Sequence, residues 1–462
     1  MALDRSRPLV QWMDRFLYSP VYLLFLGVLT VFSNVFSLEV FVYPVFILMA
    51  GYIFLFGRDM LPVFPMFVFG YISPSGANNP GRNPESIFSL SGGGLYWGVL
   101  LGILAVILIY RLVTDPVFGG KKFLQKGRKL LPGMVVLGIT YIISGVCSGQ
   151  WEEHGWQNLL FACLQFAAIA GLYYLLCGAV VWEEAPKAYL FWTGLCVGYV
   201  LLVELVGIYF SADVIVDGTI YRGRIVTGWG HYNNIGAMFA MMIPLPFFLA
   251  GKGKYAWFAY VSAFLFCLGL VFTCSRGSIL FGFIVYAVSY VFIVCRNKHA
   301  RSHIGIHILL NVGPILVFLL FRERFLLLFG DLINAGFHSP LIRISNYVEG
   351  IKQFLQFPIF GGSFFPVEAE LYEWSRWHNT LLQVLATGGI ACFAAYIYHR
   401  VQTVKLFLQD MNNGKLFAGI SILTMLLMSL LDCHFFNIGP VLFYSGALAF
   451  VEYGMQKHEK LQ

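Results

Sequence analysis

The chain has 462 residues, of which 59% are hydrophobic, 17% aromatic and only 11% charged. Soluble domains carry about 25% charged residues, so this composition, with a mean hydropathy of +0.75, excludes a soluble globular protein and predicts an all-α polytopic membrane protein. The net charge is +7, but the basic residues are scattered over short segments between apolar runs, and we therefore expect no nucleic-acid partner.

Apolar segments long enough to cross about 30 Å of hydrocarbon occur throughout the chain. They fall near residues 17–36, 40–57, 94–113, 130–149, 157–181, 189–210, 234–250, 256–273, 278–295, 304–321, 380–398, 415–432 and 439–454. The first follows Arg5, Arg7 and Arg15 without the cleavage pattern of a signal peptide, so we expect it to be a span. A shorter segment near 60–73 either crosses or re-enters, which gives about 12 to 14 predicted spans in one integral membrane domain, residues 1–462.

The nine cysteines predict neither a disulfide framework nor a metal site. Most of them lie inside or at the rim of apolar runs, and no C-x-x-C spacing occurs. Cysteines in that setting act as small apolar packing residues. We expect no metal and no cofactor.

The distribution of Lys and Arg predicts the orientation of the chain. If the N-terminus is cytoplasmic and the 60–73 segment crosses, a large set of basic residues falls in connections that face the cytoplasm. Their basic residues are Arg58, Lys121, Lys122, Lys126, Arg128, Lys129, Lys252, Lys254, Arg296, Lys298, Arg301, Arg400, Lys405, Lys457 and Lys460. The exception is the 182–188 connection, where Lys187 is outnumbered by Glu183 and Glu184. We expect both termini to be cytoplasmic.

The same topology leaves an outer set of basic residues that is almost wholly arginine. Its members are Arg82, Arg222, Arg224, Arg276, Arg322, Arg324, Arg343, Lys352 and Arg376. A planar guanidinium binds phosphate through two parallel hydrogen bonds. A single member of the set is also explained by a side chain that reaches lipid headgroups, but the set as a whole predicts an anion site on the outer face.

Two short outer segments place arginines beside the start of a span. Residues 221–234 form a glycine-rich loop that carries Arg222 and Arg224 and leads into the span near Ile235. Glycines allow close backbone approach to a ligand, and a helix N-terminus favours anions, although a surface turn explains the glycines as well. Residues 273–278 hold Arg276 between two apolar runs, which predicts a guanidinium at the membrane boundary or a hairpin anchored on headgroups.

The longest outer connection, residues 321–379, is too long for a simple linker and predicts a functional element. Apolar residues recur at helical spacing from Leu341 to Leu355, and Pro358 followed by Gly361 ends the pattern. This pattern predicts an amphipathic helix along the membrane surface, either as structural cover or as a lid. The connection ends with Glu368, Glu370, Glu373, Arg376 and His378, just before the next span.

These motifs resemble the O-antigen ligase and O-antigen polymerase superfamily of bacterial envelope glycosyltransferases. The resemblance rests on Ser275-Arg276-Gly277, on Arg224 followed by Gly228 and Asn233 or Asn234, on the run from Phe357 to Gly362, and on His378-Asn379 followed by Leu382 and Gly388-Gly389-Ile390. It covers mainly residues 220–395. Arg222 and Arg224 both fit the first arginine position of the family, and the distance to Gly228 favours Arg224.

The resemblance implies a metal-independent glycosyltransferase of the bacterial cytoplasmic (inner) membrane with an outward-facing active site. It would move a glycan from an undecaprenyl-diphosphate carrier to a sugar hydroxyl of an acceptor glycan or glycolipid. The catalytic residues would be Arg224, Arg276 and His378. The two arginines would stabilise charge on the leaving diphosphate, and the imidazole would accept the hydroxyl proton.

The implied substrate-binding residues are Arg222, Asn233, Arg343, Arg376 and Asn379, with one of Glu368, Glu370 and Glu373 assisting the imidazole or the acceptor. For His378 the alternative is a polar residue at a helix start that caps the following helix or meets the membrane interface. A ligase, which hands over a finished glycan, fits slightly better than a repeat-unit polymerase of the same superfamily.

A transporter or flippase of lipid-linked sugars is the alternative from another functional class. It would also need outer arginines, and Glu204, as an intramembrane acid, favours it together with the helix-breaking residues Pro244, Pro246 and Pro314. We find no convincing repeat between the two halves of the chain. A scaffolding membrane protein accounts for the spans but leaves the outer arginines unexplained.

Overall fold

The computed structural model describes residues 8–36, 38–72, 94–115, 128–149, 151–211, 214–253, 256–297, 303–330, 332, 338–363 and 377–455. Within these ranges the chain is almost entirely helical, and the strands form two small antiparallel hairpins. The predicted all-α class of a polytopic membrane protein is thereby confirmed at the level of secondary structure and apolar helix content.

A helix occurs at every predicted span. In chain order the helices are α1 (Pro8–Leu17), α2 (Pro20–Phe36), α3 (Glu39–Phe56), α4 (Val63–Ile72), α5 (Gly94–Thr114), α6 (Leu131–Val146), α7 (Trp151–Phe166), α8 (Leu172–Ala179), α9 (Tyr189–Ser211), α10 (Tyr232–Met242), α11 (Pro244–Ala250), α12 (Ala256–Phe272), α13 (Arg276–Arg296), α14 (Ile304–Leu320), α15 (Arg322–Leu328), α16 (His338–Gln356), α17 (Thr380–Leu408), α18 (Asn413–Met428) and α19 (Ile438–Ala449). A π-helical turn, Ala167–Gly171, joins α7 to α8, and a second one, Phe450–Gly454, extends α19.

In the described part of the chain, five helical segments are long and apolar enough to cross a membrane. They are Asn158–Ala179, Tyr189–Phe210, Tyr232–Ala250, Arg276–Arg296 and Thr380–Leu408. The number rises to seven if two bent pairs each count as one span: α1 with α2, bent by 70°, and α14 with α15, bent by 86°. Helix α4 has only ten residues, a length of about 15 Å, so a membrane crossing at residues 60–73 stays a prediction.

The chain packs as two compact units, each made of two chain segments. The first unit comprises Met1–Lys126 and Leu175–Leu332, and the second comprises Gly127–Tyr174 and Ile333–Gln462. The single membrane domain over residues 1–462 stays a prediction.

The first unit is built around α10, which is buried from Ile235 to Met242. It packs against α9, α12 and α13. Small residues allow the close approach, because a Cβ at Gly236 would lie 2.6 Å from the hydroxyl oxygen of Ser278 on α13. The segments that precede α10 and α13 are therefore held side by side.

Polar contacts around Asp59, in the turn between α3 and α4, connect separate segments at one end of the first unit. Its carboxylate accepts hydrogen bonds from the Tyr18 hydroxyl, from the Leu61 backbone N–H at 2.9 Å and from the Val181 backbone N–H at 3.0 Å. The neighbouring Arg58 forms an ion pair with Glu184 at 3.1 Å. The turn after α3 and the turn after α8 therefore lie on the same side of this unit.

In the second unit, α6 packs between α7 and α17. Glycines on α6 face large groups on both neighbours: a Cβ at Gly138 would collide with the ring of Phe166, and one at Gly133 would collide with Gln402. Helix α17 continues to Leu408, beyond the predicted end at residue 398, because no glycine or proline interrupts the charged residues there. Arg400 and Lys405 therefore lie within a helix and not in a connection.

Helix α17 is broken at Gly389, whose backbone has φ 67° and ψ −169°. Only glycine adopts this conformation readily. The segment Phe357–Gly362 fills the break: the N–H of Ile390 donates to the Pro358 carbonyl at 2.9 Å, and the N–H of Gly362 donates to the Ala386 carbonyl at 2.9 Å. The backbone groups released by the break therefore find partners in the protein, as an apolar environment requires.

Candidate active site

The described members of the predicted site fall into two groups, one in each unit. Arg222, Arg224, Asn233 and Arg276 belong to the first unit, and Arg343, His378 and Asn379 belong to the second. Arg376, Glu368, Glu370 and Glu373 lie outside the described residues. The prediction that both groups surround one diphosphate stays a prediction.

The first group begins in a loop made of two hairpins, β1 (Ile215–Val216) with β2 (Thr219–Ile220) and β3 (Val226–Thr227) with β4 (Gly230–His231). A single 3-10 turn between them carries Arg222 and Arg224. The guanidinium of Arg222 lies 5.3 Å from the ring of Tyr232, and that of Arg224 lies 6.0 Å from the ring of Tyr221. Both charges are thus placed just before α10, with Arg224 exposed and Arg222 half-buried.

Asn233 joins this loop to the second arginine segment. Its Oδ1 accepts a hydrogen bond from the hydroxyl of Ser275 at 2.9 Å, and that hydroxyl lies 2.8 Å from the hydroxyl of Ser278. The two segments that the sequence singled out, residues 221–234 and 273–278, therefore meet at the starts of α10 and α13. The observed contact of Asn233 is with protein, and its substrate-binding role stays a prediction.

Arg276 occupies the first turn of α13, directly after a tight turn in which Cys274 has a φ of 55°. Its Nε and Nη2 both donate to the carbonyl of Leu332, at 3.0 and 2.7 Å. The side chain is half-buried. The guanidinium therefore holds the backbone that follows α15 and keeps a positive charge beside a helix N-terminus.

In the second unit, His378 stands directly before α17 with a φ of 50°, a conformation that is uncommon for residues other than glycine. The helix cap is its neighbour Asn379, whose Oδ1 accepts from the Leu382 N–H at 3.1 Å and whose Nδ2 donates to the Leu430 carbonyl at 3.1 Å. The capping alternative for His378 is therefore wrong, because Asn379 fills that role. The imidazole is available for another function.

The imidazole faces a carboxylate that the sequence analysis missed. Nδ1 of His378 lies 3.5 Å from Oδ1 of Asp432, a distance within ion-pair range but longer than a good hydrogen bond. The side chain of His378 is 30% exposed and that of Asp432 only 8%, so a substrate can reach the imidazole but not its partner. Oδ1 of Asp432 also accepts from the Cys433 N–H at 2.7 Å, which fixes the carboxylate.

The sequence does hold a signal for Asp432. It is a single acidic residue at the end of the apolar run 415–432, and an ionisable residue at the edge of a span is a functional hypothesis. No spacing rule connects it to His378, because the two residues come from different helices. The contact depends on how α17 and α18 pack.

The helix predicted from Leu341 to Leu355 is present as α16. It lies against α17, next to His378. The hydroxyl of Tyr347 lies 3.5 Å from the His378 carbonyl, and Nε2 of Gln353 donates to the Ala386 carbonyl at 3.1 Å. Partial burial raises the pKa of the Tyr347 hydroxyl, the charge of Arg343 opposes that shift, and the charge of Asp432 adds to it. Arg343 and Tyr347 therefore belong to the same electrostatic environment as the histidine and its carboxylate.

The opposite face of α16 carries an exposed apolar stripe. Its members are Ile344, Val348, Ile351 and Leu355, at the spacing of one helix face. The observed contacts with α17, and the hydrogen bonds of Phe357–Gly362 with the broken helix, favour structural cover over a freely moving lid.

In the second group, the imidazole of His378 can act as a general base. A carboxylate facing Nδ1 holds the imidazole in the tautomer that carries hydrogen on Nδ1, and it leaves Nε2 to accept a proton. A catalytic hydrogen bond of this kind is often long before a substrate binds. The described residues hold no group of three or more His, Cys, Asp and Glu side chains placed to bind a metal ion, and metal independence stays a prediction.

No protein-family model matches this chain, and no match is found among curated proteins. The resemblance to envelope glycosyltransferases therefore rests on the residues and motifs given above.

Proposed function

We propose that this protein is a membrane glycosyltransferase that moves a glycan from an undecaprenyl-diphosphate carrier to an acceptor sugar hydroxyl. In the reaction, the hydroxyl oxygen bonds to the anomeric carbon of the first sugar. The bond from that carbon to the diphosphate oxygen breaks, and undecaprenyl diphosphate leaves with the electron pair. The hydroxyl proton passes to Nε2 of His378.

The observation that carries the proposal is the contact of His378 with Asp432. A hydroxyl is a weak nucleophile, and a positioned base that accepts its proton accelerates transfer by about 100- to 10,000-fold. The imidazole is half-exposed and not used as a helix cap, while the carboxylate behind it is buried. This combination supports a base that is oriented by a third group.

The arginines support the second half of the reaction. Negative charge develops on the diphosphate as the sugar leaves, and fixed positive groups stabilise that charge without reorganising. Arg276 is fixed by two hydrogen bonds to the Leu332 carbonyl, and Arg224 is exposed beside α10. Arg343 brings a positive charge near the Tyr347 hydroxyl in the second unit. We assign to Arg276 and Arg224 the stabilisation of the leaving diphosphate, and to Arg343 a role in substrate binding.

The proposed topology has about 12 to 14 spans, both termini in the cytoplasm and the site on the outer face of the bacterial cytoplasmic membrane. Contacts between turns within each unit support it. In the first unit, Arg58 pairs with Glu184, which joins two connections assigned to the inside. In the second unit, Nζ of Lys129 donates to Gln409 at 2.7 Å, and both belong to connections assigned to the inside.

The outer assignments are supported in the same way. Thr219 donates to the Leu327 carbonyl at 3.2 Å, and Asn379 donates to the Leu430 carbonyl. Each of these contacts joins two segments assigned to the outside. The Arg58 pair also supports placing the acidic 182–188 connection on the same side as Arg58.

The test is the location of the glycan in a strain that lacks this protein. A ligase predicts full-length chains on the carrier at the outer face, while a polymerase of the same superfamily predicts short chains on the acceptor. Complementation with the intact protein should restore the normal product. Normal glycan on the acceptor in the deletion strain would contradict the proposal.

A transporter of lipid-linked sugars is the second candidate, and one observation favours it. Glu204 is buried within the candidate span α9, where its Oε1 accepts from Nδ2 of Asn34 at 2.7 Å. Buried acids in spans often serve ion or proton coupling. A Glu204→Gln protein keeps an acceptor for Asn34 but loses the acid. Glycan transfer should persist in this variant if the protein is the enzyme, and carrier-linked glycan should accumulate at the inner face if it is a transporter.

A further inference from the structure

Arg400 is a charged residue inside the candidate span Thr380–Leu408. It forms no ion pair with any residue of the described chain, and its polar partners there are the hydroxyls of Tyr396 and Tyr444. The side chain is half-buried, and charged residues within spans are rare and mark functional positions. The mechanism proposed above does not use Arg400.

Three aromatic rings surround the guanidinium in place of a counter-ion. The distances to the ring centres are 4.4 Å for Tyr396, 4.3 Å for Phe435 and 5.1 Å for Tyr444. Nη1 also donates to the Tyr444 hydroxyl at 2.6 Å, and that hydroxyl lies 2.8 Å from Nε2 of His399. Ring faces attract a cation, most strongly where water is excluded, so the cage compensates part of the cost of burial.

The ring of Phe435 connects this cage to the candidate site. Phe435 is buried in the 3-10 turn His434–Phe436, which directly follows Asp432. The turn is compact, since the N–H of Phe436 donates to the Cys433 carbonyl at 2.9 Å. A short hydrogen-bonded turn therefore links the Phe435 ring to Asp432.

We propose that Arg400 is a positioning residue: it holds Phe435 from within the span and thereby keeps Asp432 against His378. An arginine suits this task because its planar guanidinium packs on several ring faces and still donates a hydrogen bond. An aliphatic side chain would fill the space without fixing the ring. The consequence for glycan transfer rests on the proposed function, but the coupling from Arg400 to His378 does not.

The test is the rate at which diethyl pyrocarbonate modifies His378 in the purified, full-length protein, measured by mass spectrometry. The reference is Asp432→Asn, which changes the environment of the imidazole directly. Arg400→Gln and Phe435→Leu should change the rate at His378 in the same direction and to a comparable extent. Arg400→Lys should lie closer to the wild-type rate, because it keeps the charge.

The double variant R400Q/F435L should change the rate no further than either single substitution, because both act through one contact. The matched control is Arg296→Gln, in which a guanidinium 5.3 Å from the ring of Phe292 is removed from the end of α13. It should leave the rate at His378 unchanged. The unfolding temperature of each variant in detergent serves as the check that the second unit is folded.

A wild-type rate at His378 in folded R400Q and F435L proteins would overturn the inference. If the unfolding temperature shows that R400Q is not folded, the F435L result alone decides in the same way. Failure of the proposed function has a different signature: a His378→Ala protein would then transfer glycan normally, whatever the modification rates show.

Discussion

Nδ1 of His378 faces Oδ1 of Asp432 at 3.5 Å, with the carboxylate buried and the imidazole half-exposed. The two residues belong to different segments, one leading into α17 and the other leaving α18. A carboxylate on this side favours the tautomer that carries hydrogen on Nδ1, and Nε2 is then left to accept a proton from a substrate hydroxyl. The proposed reaction needs a group with this property.

Asp432→Asn should reduce glycan transfer by about 100-fold or more, because the amide no longer stabilises the protonated imidazole. The fold should persist, since an amide oxygen can still accept from the Cys433 N–H. Transfer is measured as the fraction of glycan on the acceptor at equal protein level. Asp410→Asn makes the same change at an exposed position and should leave transfer unchanged; equal activity of the two variants would contradict the role of Asp432.

Arg276→Ala should insert normally and lose about 3 kcal/mol of transition-state stabilisation, roughly a 100-fold decrease in rate. Arg276→Lys should recover part of it, since an ammonium keeps the charge but lacks the planar fork that holds the Leu332 carbonyl. Arg296→Ala, at the opposite end of the same helix, is the control. Near-normal transfer by Arg276→Ala would remove the arginine from the mechanism.

Gly389→Ala should destabilise the protein, because alanine is strained at φ 67° and its Cβ would lie 2.2 Å from the Ile359 carbonyl oxygen. We expect a loss of about 3 kcal/mol or more from strain and steric overlap together. The unfolding temperature in detergent measures it. Gly102→Ala, on α5 with open space around it, should instead be neutral or stabilising by up to about 1 kcal/mol.

Asp59→Asn should destabilise the first unit by about 1–3 kcal/mol. The substitution replaces one carboxylate oxygen, which accepts a hydrogen bond, with an NH2 group that can only donate and that faces a backbone N–H that also donates. Oδ1 and Oδ2 of Asp59 accept from Leu61 and Val181 respectively, and an amide serves only one of them. Glu184→Gln should cost less than about 1 kcal/mol, since Glu184 is exposed and belongs to a surface ion pair. Equal unfolding temperatures for the two variants would contradict this reading.

A pH dependence follows from the same carboxyl group. Burial raises the pKa of Asp59 above its ordinary value, against the opposing effect of its hydrogen bonds. The folded protein therefore binds this proton more tightly than the unfolded chain, and stability falls as pH rises from the ordinary aspartate pKa to the raised value. The difference in unfolding temperature between wild type and Asp59→Asn should grow as pH falls through this window. A difference that shrinks would show that the hydrogen bonds dominate.

The positions of the helices were predictable because each span must be apolar over its length, whatever its neighbours are. Helix α16 was predictable for a related reason, since its apolar residues recur at the spacing of one helix face from Leu341 to Leu355. Its contact with α17 was not, because the polar side that packs there, with Tyr347 and Gln353, has no distinctive pattern.

Two features could not be predicted from the sequence: the break at Gly389 and the contact of His378 with Asp432. The physical reason is the same for both. Both depend on partners from distant segments: the Phe357–Gly362 run fills the break, and the end of α18 supplies the carboxylate. Spacing along one segment carries no information on such pairs. The arginines could be singled out as a set, because their type and predicted side are properties of the sequence alone.

The most direct test of the glycosyltransferase account is glycan transfer by His378→Ala, produced at wild-type level in the strain that lacks this protein. The account predicts that the variant inserts and folds normally, while full-length glycan stays on the undecaprenyl-diphosphate carrier at the outer face. Glycan attached to the acceptor at near wild-type amount would contradict it.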